Sequence, residues 1–240
     1  MMKSNKALAR KILCGLLAAG VLGVSGSALA ANETYGINAD FDADINANTQ
    51  YADGKIEGFD YGLNATGDYK NSKESKISLT TDSVNIIANK VGIQGVKWAV
   101  LTIGASNTND INISGKANGI LLKTGSSAEI TGNEVKISNE TKNVLIKIDN
   151  SFSNMKRSAQ LIVKGQEIKL ESVGRVIEAA SKYKSDGSAP KANIILGDDS
   201  TELLDMKGSS GIKAGNNTEI IGTAKDIKLA VNSTASTTGV

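Results

Sequence analysis

From about residue 76 onward, apolar and polar residues alternate in short runs separated by glycine, asparagine, serine, aspartate and lysine. Successive side chains of a β-strand point to opposite faces, so this period of two predicts strands that are buried on one face. The runs are three to seven residues long and rich in β-branched side chains, which is typical of short strands. The predicted strands are Ile77–Leu79, Val84–Ile86, Lys97–Ile103, Ile111–Ile113, Gly119–Leu122, Ala128–Thr131, Glu134–Ser138, Val144–Ile148, Ala159–Val163, Glu167–Glu171, Arg175–Ala179, Ala192–Leu196, Glu202–Met206, Gly211–Lys213, Thr218–Ile221 and Asp226–Val231.

One segment also fits a helical period. In Val173–Tyr183, the apolar residues Val173, Val176, Ile177 and Ala180 would share one face of a helix. The segment is short for a helix. We therefore predict a strand followed by a turn here, with a single helical turn as the alternative.

Two repeated phrases extend over more than one strand. Residues 123–132 read KTGSSAEITG and residues 213–222 read KAGNNTEIIG, with the lysine, the first glycine, Glu-Ile and the last glycine at the same offsets. A second phrase, acid-aliphatic-lysine-aliphatic, recurs at residues 134–137, 167–170 and 226–229. Such periodicity indicates a solenoid, in which each coil buries its apolar side against its neighbours. With coils of about 20–25 residues, the offset of 90 residues would span four coils.

A β-sandwich built from hairpins is the competing architecture. It would join longer strands by two-residue Asn-Gly or Asp-Gly turns. From residue 70 onward only Asn118-Gly119 and Asp186-Gly187 fit that pattern, and the first of them opens a predicted strand. Pro190, the one proline, lies between predicted strands, as expected where every strand must donate hydrogen bonds to a neighbour. We therefore predict an all-β solenoid.

The aromatic residues are concentrated near the N-terminus. Nine residues are aromatic, and six of them lie between Tyr35 and Tyr69, so the remaining core must be aliphatic. Residues 31–75 are also acidic, and terminal units of a solenoid are expected to differ from the rest. We predict an atypical N-terminal cap at residues 31–75, the solenoid at residues 76–231, and a linker or truncated end at residues 232–240.

The first 30 residues have the pattern of a signal peptide. Basic residues precede an apolar run at residues 12–24, and small residues follow, which places the cleavage site between Ala30 and Ala31. The apolar run has 13 residues, whereas a transmembrane anchor needs about 20. After cleavage, acidic residues outnumber basic ones by two, and no basic cluster with interleaved aromatics is present. The sequence thus predicts export and no nucleic-acid partner.

The segment Asp40–Asn48 shares part of the pattern of a calcium-binding loop. Oxygen-bearing side chains occupy alternate positions there, as the loop requires, at Asp40, Asp42, Asp44, Asn46 and Asn48. The sixth position needs glycine and the twelfth a glutamate, but these positions hold Ile45 and Tyr51. The alternative, which we favour, is a strand whose apolar residues point inward, namely Phe41, Ala43, Ile45 and Ala47. We therefore predict no metal and no cofactor.

Sugar cleavage is the enzymatic hypothesis that fits an exported solenoid. A lyase would need an arginine or lysine base near a cation, and a hydrolase would need two facing carboxylates. Only Arg157 and Arg175 remain after residue 30, and the paired Asp198-Asp199 lies in a sequence where such residues stabilise the turn itself. Histidine is absent, and the single cysteine, Cys14, precedes the cleavage site. We predict no catalytic residue and a non-enzymatic protein.

The repeated Gly-Ile, Glu-Ile-x-Gly and Val-Lys-Ile strands, the signal peptide and the lack of cysteine after residue 30 resemble the passenger region of bacterial autotransporter (type V secretion) surface proteins. The resemblance covers about residues 76–231. It implies a single-stranded right-handed parallel β-helix that is exported across the outer membrane. It also implies an outer-membrane translocator barrel, encoded downstream or elsewhere, because residues 180–240 contain no barrel-like strands.

Together these observations predict a secreted or cell-surface adhesin passenger, or its stalk. Its expected partner is a protein or glycan on a host or neighbouring cell, and the loops Asn150–Ser158 and Ser181–Lys191 are the candidate binding segments. The alternatives are a secreted polysaccharide-degrading β-helix enzyme and a purely structural envelope component. Gly125, in the first repeated phrase, is predicted to form a corner between strands rather than a phosphate-binding loop.

Overall fold

A computed structural model of the chain describes residues 34–150, 157–181 and 190–232, which form an all-β fold. Within these residues no helix is long and apolar enough to cross a membrane. The predictions for residues 1–30, including the cleavage site between Ala30 and Ala31, and for residues 233–240 lie outside the described residues. The strands are β1 (Tyr35–Asp40), β2 (Asp44–Asn46), β3 (Lys55–Thr66), β4 (Ser75–Leu79), β5 (Ser83–Val96), β6 (Ala99–Ile103), β7 (Asp110–Gly115), β8 (Asn118–Lys123), β9 (Ser127–Thr131), β10 (Glu134–Asn139), β11 (Ile146–Asn150), β12 (Ala159–Lys164), β13 (Glu167–Glu171), β14 (Arg175–Ser181), β15 (Ala192–Leu196), β16 (Leu203–Gly208), β17 (Ser210–Ala214), β18 (Thr218–Gly222) and β19 (Asp226–Val231).

The strands lie on three faces that the chain visits in a fixed order, and all pairings between them are parallel. Face 1 consists of the first halves of β3 and β5, then β7, β10, β13, β16 and β19. Face 2 consists of β1, the second halves of β3 and β5, then β8, β11, β14 and β17. Face 3 consists of β2, β4, β6, β9, β12, β15 and β18. This stacking of parallel strands is consistent with a β-solenoid.

Each strand predicted from residue 76 onward overlaps an observed strand, including β14, where the helical alternative is wrong. Two predicted bounds are wrong: β5 continues to Val96, beyond the predicted end at Ile86, and Lys97-Trp98 form a turn with positive φ instead of the start of a strand. The predicted coil length is wrong. Successive partners on face 3 are Ile130, Val163, Leu196 and Gly222, so the repeated phrases lie three coils apart rather than four. The pairing also aligns Ile130 with Gly222 instead of the expected Ile220, because the segments at the corners differ in length from coil to coil.

Stacks of aliphatic side chains fill the interior. On face 1, Ile86, Ile113, Ile137 and Leu170 lie directly above one another, and each is fully buried. Burying one such side chain contributes about 1.5–3 kcal/mol, so the stacks stabilise the fold without large aromatic residues. The solvent-facing positions between them can vary, which explains why the repeats are recognisable only at the inward positions.

Glycine residues occupy the sharp corner between faces 1 and 2 in the first coils. Pairing places Gly36, Gly62, Gly92 and Gly119 at equivalent positions. A Cβ atom on Gly92 would lie 2.7 Å from the carbonyl oxygen of Gly119 and 2.7 Å from Cγ2 of Ile113. The backbone therefore approaches the inward isoleucines too closely for any side chain at this corner.

Residues 31–75, predicted as an atypical cap, contribute strands to the same sheets. Thus β1 pairs with β3, and β2 pairs with β4. The aromatic residues close this end of the core: Tyr51 and Phe59 pack against the buried cluster, and the Tyr51 hydroxyl donates a hydrogen bond to the carbonyl oxygen of Gly36 at 2.9 Å. The parallel pairing therefore begins at Tyr35, well before residue 76.

A pair of glycine substitutions tests the close packing of the coils. Gly104 has a φ of 70° and Gly58 a φ of 88°, so alanine is strained at both positions. A Cβ atom on Gly104 would lie 2.2 Å from the carbonyl oxygen of Thr131, whereas nothing lies within 4 Å of one on Gly58. We expect Gly104→Ala to lower the free energy of unfolding by about 2–4 kcal/mol and Gly58→Ala by about 1 kcal/mol. Chemical denaturation measures both, and equal losses would contradict the packing argument.

Candidate functional site

The corner between faces 2 and 3, here called the loop corner, contains the longest additions to the coil. Residues 97–98 suffice to join β5 to β6, so a coil needs no more than two residues at this point. Residues 67–74, 151–158 and 182–191 occupy the same position in other coils. Since the fold does not require the extra residues, they are the expected location of function in a solenoid.

The two predicted binding segments leave the fold at this corner from adjacent coils. Asn150–Ser158 joins β11 to β12 and Ser181–Lys191 joins β14 to β15, and these strands pair directly. Residues 151–156 and 182–189 themselves lie outside the described residues. The fold therefore brings together the ends of both segments, which the sequence alone did not indicate.

A buried asparagine side chain joins the ends of these two segments. Asn150 is 1% exposed, and its Oδ1 accepts a hydrogen bond from the backbone N–H of Gly125 at 2.8 Å. Its Nδ2 donates to the carbonyl oxygens of Arg157 at 3.2 Å and Lys191 at 3.1 Å. One side chain thus ties three neighbouring coils together below the insertions. A buried amide that loses these partners would leave backbone groups unsatisfied, at a cost of about 1–3 kcal/mol each.

The loop corner repeats a turn in which two successive residues have positive φ. The pairs are Phe41-Asp42, Lys97-Trp98 and Thr124-Gly125. The predicted corner at Gly125 is confirmed, with a φ of 72°. Positive φ is costly for large side chains, and Trp98 has a φ of 73°. The composition provides no signal that a tryptophan would adopt this conformation.

Trp98, the only tryptophan, lies beside Gly125 of the next coil. A Cβ atom on Gly125 would come within 2.9 Å of the Trp98 Cδ1 atom and 3.0 Å of its Nε1 atom. Glycine at position 125 therefore leaves room for the indole ring, and it adopts the positive φ of the turn without the strain that Asp42 and Trp98 bear at the equivalent positions. The indole N–H is buried without a hydrogen-bond partner among the described residues.

A long ion pair crosses the loop corner. Arg157 Nη1 contacts Glu74 Oε1, and Lys76 Nζ lies 3.6 Å from Glu74 Oε2. Glu74 precedes β4 and Arg157 precedes β12, so their side chains bridge over the coils of Trp98 and Gly125. At about 4.8 Å per strand, this ion pair spans roughly 14 Å along the solenoid. The hydrogen bond from Arg157 lowers the pKa of the Glu74 carboxyl below its usual value, against a smaller opposing effect of burial.

The acidic segment that partly resembles a calcium-binding loop lies around the turn between β1 and β2. Asp42 pairs with Lys73 at 2.6 Å, and a shallow groove beside it is lined by Asp44, Ser72, Glu74 and Lys76 as well. No group of three or more His, Cys, Asp and Glu side chains is placed to hold a metal ion within the described residues. The predicted continuous strand over Asp40–Asn48 is wrong, because the chain turns between β1 and β2.

The same turn changes the orientation of the apolar residues predicted to point inward. Phe41 is 64% exposed, so its predicted inward position is wrong. Ala47 is fully buried, and Ala43 and Ile45 are partly buried against the core. The alternating pattern therefore predicts the inward orientation correctly for Ala43, Ile45 and Ala47, which follow the turn, but not for Phe41 within it.

The paired Asp198-Asp199 belongs to a turn between faces 3 and 1. The Asp198 carboxylate accepts hydrogen bonds from the backbone N–H of Ser200 at 2.9 Å and from its hydroxyl at 2.5 Å, which lowers the Asp198 pKa. The buried Thr201 hydroxyl donates to the carbonyl oxygen of Gly165 at 2.8 Å. Residues 104–108 form an equivalent Gly-x-x-x-Thr turn, a repeat that the sequence analysis missed.

Family models, curated protein sequences and solved structures were compared with the chain, and none of them matches it. The function of the loop corner must therefore be inferred from its geometry.

The ion pair across the loop corner gives a pH-dependent prediction. Because the folded-state pKa of Glu74 lies below its ordinary value of 4.5, the ion pair stabilises the fold fully above that pH and is lost as the pH falls through the lower folded-state pKa. Both side chains are about one-third exposed, so we expect Glu74→Gln to cost only about 0.5–1 kcal/mol at pH 7. The free energies of unfolding of the two proteins should converge as the pH falls through the folded-state pKa of Glu74.

Glu219→Gln is the matched control for this measurement. Glu219 lies 3.8 Å from Lys191, and both side chains are more than half exposed. We expect this substitution to leave the free energy of unfolding nearly unchanged at pH 7. A loss equal to that of Glu74→Gln would show that the ion pair across the corner has no special role.

Proposed function

We propose that this protein is a non-enzymatic, exported β-solenoid adhesin whose binding surface is the loop corner. The observation that carries the proposal is that both long insertions leave adjacent coils at the same corner. A solenoid is a rigid support on which each coil can present an added segment at a fixed spacing. Segments that are not needed for folding, gathered at one place, are typical of a binding surface.

The described part of the loop corner has the composition of a contact surface. Trp98 and Arg157 are residue types that often dominate binding energy at interfaces. Lys97 is exposed beside them, and Glu74 holds the Arg157 side chain in place. Because these groups are fixed by the coil stacking, a partner would lose little entropy in ordering them.

We infer further that the coils form a single-stranded parallel β-helix with a right-handed winding. Connections between parallel strands of one sheet are right-handed in about 98% of cases. The signal peptide pattern and the cysteine-free chain after residue 30 support export to the cell surface or the medium. The resemblance to autotransporter passengers supports passage through an outer-membrane translocator barrel. A crystal structure would test the hand of the coils directly.

Attachment of the purified protein to host or neighbouring cells tests the proposal. We expect saturable binding that Lys97→Glu weakens at least about tenfold, because it reverses an exposed charge within the surface. The matched control is Lys136→Glu on face 1, which makes the same charge change away from the corner and should bind normally. Absence of binding by the unchanged protein, or equal losses in both variants, would contradict the proposal.

A further inference from the structure

A shallow groove, here called the corner groove, opens at the loop corner of the first two coils. It has a volume of about 360 Å³, which lies within the range of about 300–1,000 Å³ that is typical of small-ligand sites. The lining residues are Asp42 and Asp44 in the first coil and Ser72, Lys73, Glu74 and Lys76 in the second. These two coils pair directly through β2 and β4, so the stacking fixes the width of the groove.

The wall formed by the second coil is held in place by hydrogen bonds within a short hairpin, residues 68–73. The backbone N–H of Asp68 donates to the carbonyl oxygen of Lys73 at 2.8 Å, and the N–H of Lys73 donates back to that of Asp68 at 3.0 Å. The Lys73 ammonium also bonds to Asp42 Oδ2 at 2.6 Å, which links the two walls. Because these groups are ordered in advance, a ligand would lose little affinity to ordering them.

The charges that line the corner groove balance one another. Lys73 pairs with Asp42, Lys76 lies 3.6 Å from Glu74, and Arg157 contacts the same Glu74 carboxylate. An anionic ligand would meet the three carboxylates of the lining, and a metal ion would have to displace their ammonium partners. A neutral molecule with several hydroxyl groups suits this lining, because a hydroxyl donates to a carboxylate and accepts from an ammonium group.

An exposed aromatic ring adjoins this lining. Phe41 directly precedes Asp42 and is 64% exposed. The backbone at both residues is fixed: the N–H of Phe41 donates to the carbonyl oxygen of Thr66 at 2.8 Å, and the N–H of Asp42 donates to Ser75 Oγ at 3.1 Å. The face of an aromatic ring is negative, so it attracts polarised C–H groups. A pyranose ring has such C–H groups on one flat side and hydroxyl groups around its edge.

We propose that the corner groove binds a neutral pyranose saccharide. The C–H side of the sugar ring stacks on Phe41, and its hydroxyl groups bond to the carboxylates and ammonium groups of the lining. This inference rests on the adhesin proposal and names the class of its partner, a glycan without net charge. It also assigns a role to the insertion at residues 67–74, which supplies one wall of the site.

Saturation-transfer difference NMR on the purified protein tests this inference. The probes are the methyl glycosides of glucose, galactose, mannose and N-acetylglucosamine. We expect at least one of them to bind with a dissociation constant of about 1 mM, an affinity that a small polar ligand can reach. Saturation should be strongest on the C–H protons of one side of the ring. Added salt should leave the affinity unchanged, because the ligand is uncharged.

Phe41→Ala should weaken this binding at least about tenfold, because it removes the stacking ring. The side chain is mostly exposed, so the circular dichroism spectrum should stay the same. Tyr35→Ala is the matched control. Tyr35 is 39% exposed and lies at the opposite end of β1, so its substitution removes an exposed aromatic ring away from the groove and should leave the affinity unchanged.

Absence of binding by all four glycosides would overturn the inference, as would equal losses in the two variants. Stronger binding of the methyl glycoside of glucuronic acid would also overturn it, because it would indicate a site for anions. The adhesin proposal can fail separately. Attachment to cells without glycoside binding contradicts only the saccharide groove, whereas glycoside binding without attachment to cells supports the groove and contradicts only the adhesin proposal.

Discussion

The parallel hydrogen-bonded ladder is the constraint on which the rest of this structure depends. Each strand between the first and last coils meets a neighbour on both edges, in a register that keeps its apolar side chains inward. A shift of one residue in any coil would turn those side chains to solvent, so each coil must return to the same position along the face. The corners absorb the differences in length between coils. This explains why the aliphatic stacks are regular while the connecting segments range from residues 97–98 to residues 182–191.

The ladder also explains how insertions are tolerated at the loop corner. An added segment is harmless if the strands on either side of it still stack, and Asn150 secures that by bonding to the coils above and below it. The Arg157–Glu74 ion pair acts over a longer range, across the coils between the two residues. Function can then change in the insertions while the scaffold below them stays the same, which is the usual division between loops and scaffold.

Local alternation predicts where most strands after residue 76 lie, because period-two burial is a property of neighbouring residues; it does not predict the second half of β5. It predicted β10, β13 and β19 closely, and their shared phrase lies on one face. The alternating pattern does not predict the number of residues per coil, because that number depends on which distant strands pair. The ion pair at the loop corner could not be predicted for the same reason. Glu74 and Arg157 are 83 residues apart, and no local pattern relates them.

The first coils show a different limit of sequence interpretation. The acidic residues between Tyr35 and Tyr69 suggested a separate cap, and Asp40–Asn48 suggested one strand. The backbone instead turns through positive φ at Phe41 and Asp42, which are residues without an evident turn preference as a pair. The turn is imposed by pairing of β1 with β3 and of β2 with β4. Tertiary pairing thus overrides local preference where the coil must change direction.

Stacking of the coils constrains which charged side chains can lie above one another on a face. Equivalent side chains lie about 4.8 Å apart, so identical charges in successive coils would repel. On face 1 the lysine row runs through Lys136, Lys169, Asp205 and Lys228, and the aspartate separates two of the lysines.

The neighbouring rows supply carboxylates to the same lysines. Lys136 pairs with Glu171, and Lys169 pairs with Glu167, each at 2.7 Å. The repeated spacing of the acid-aliphatic-lysine-aliphatic phrase therefore neutralises charge within the sheet, because each lysine pairs with an acid of its own phrase or of the next coil. A face whose charges are matched internally has little charge left to attract a partner. Among the described residues, Lys97 has no ion-pair partner and the indole N–H of Trp98 has no hydrogen-bond partner, and both groups lie at the loop corner.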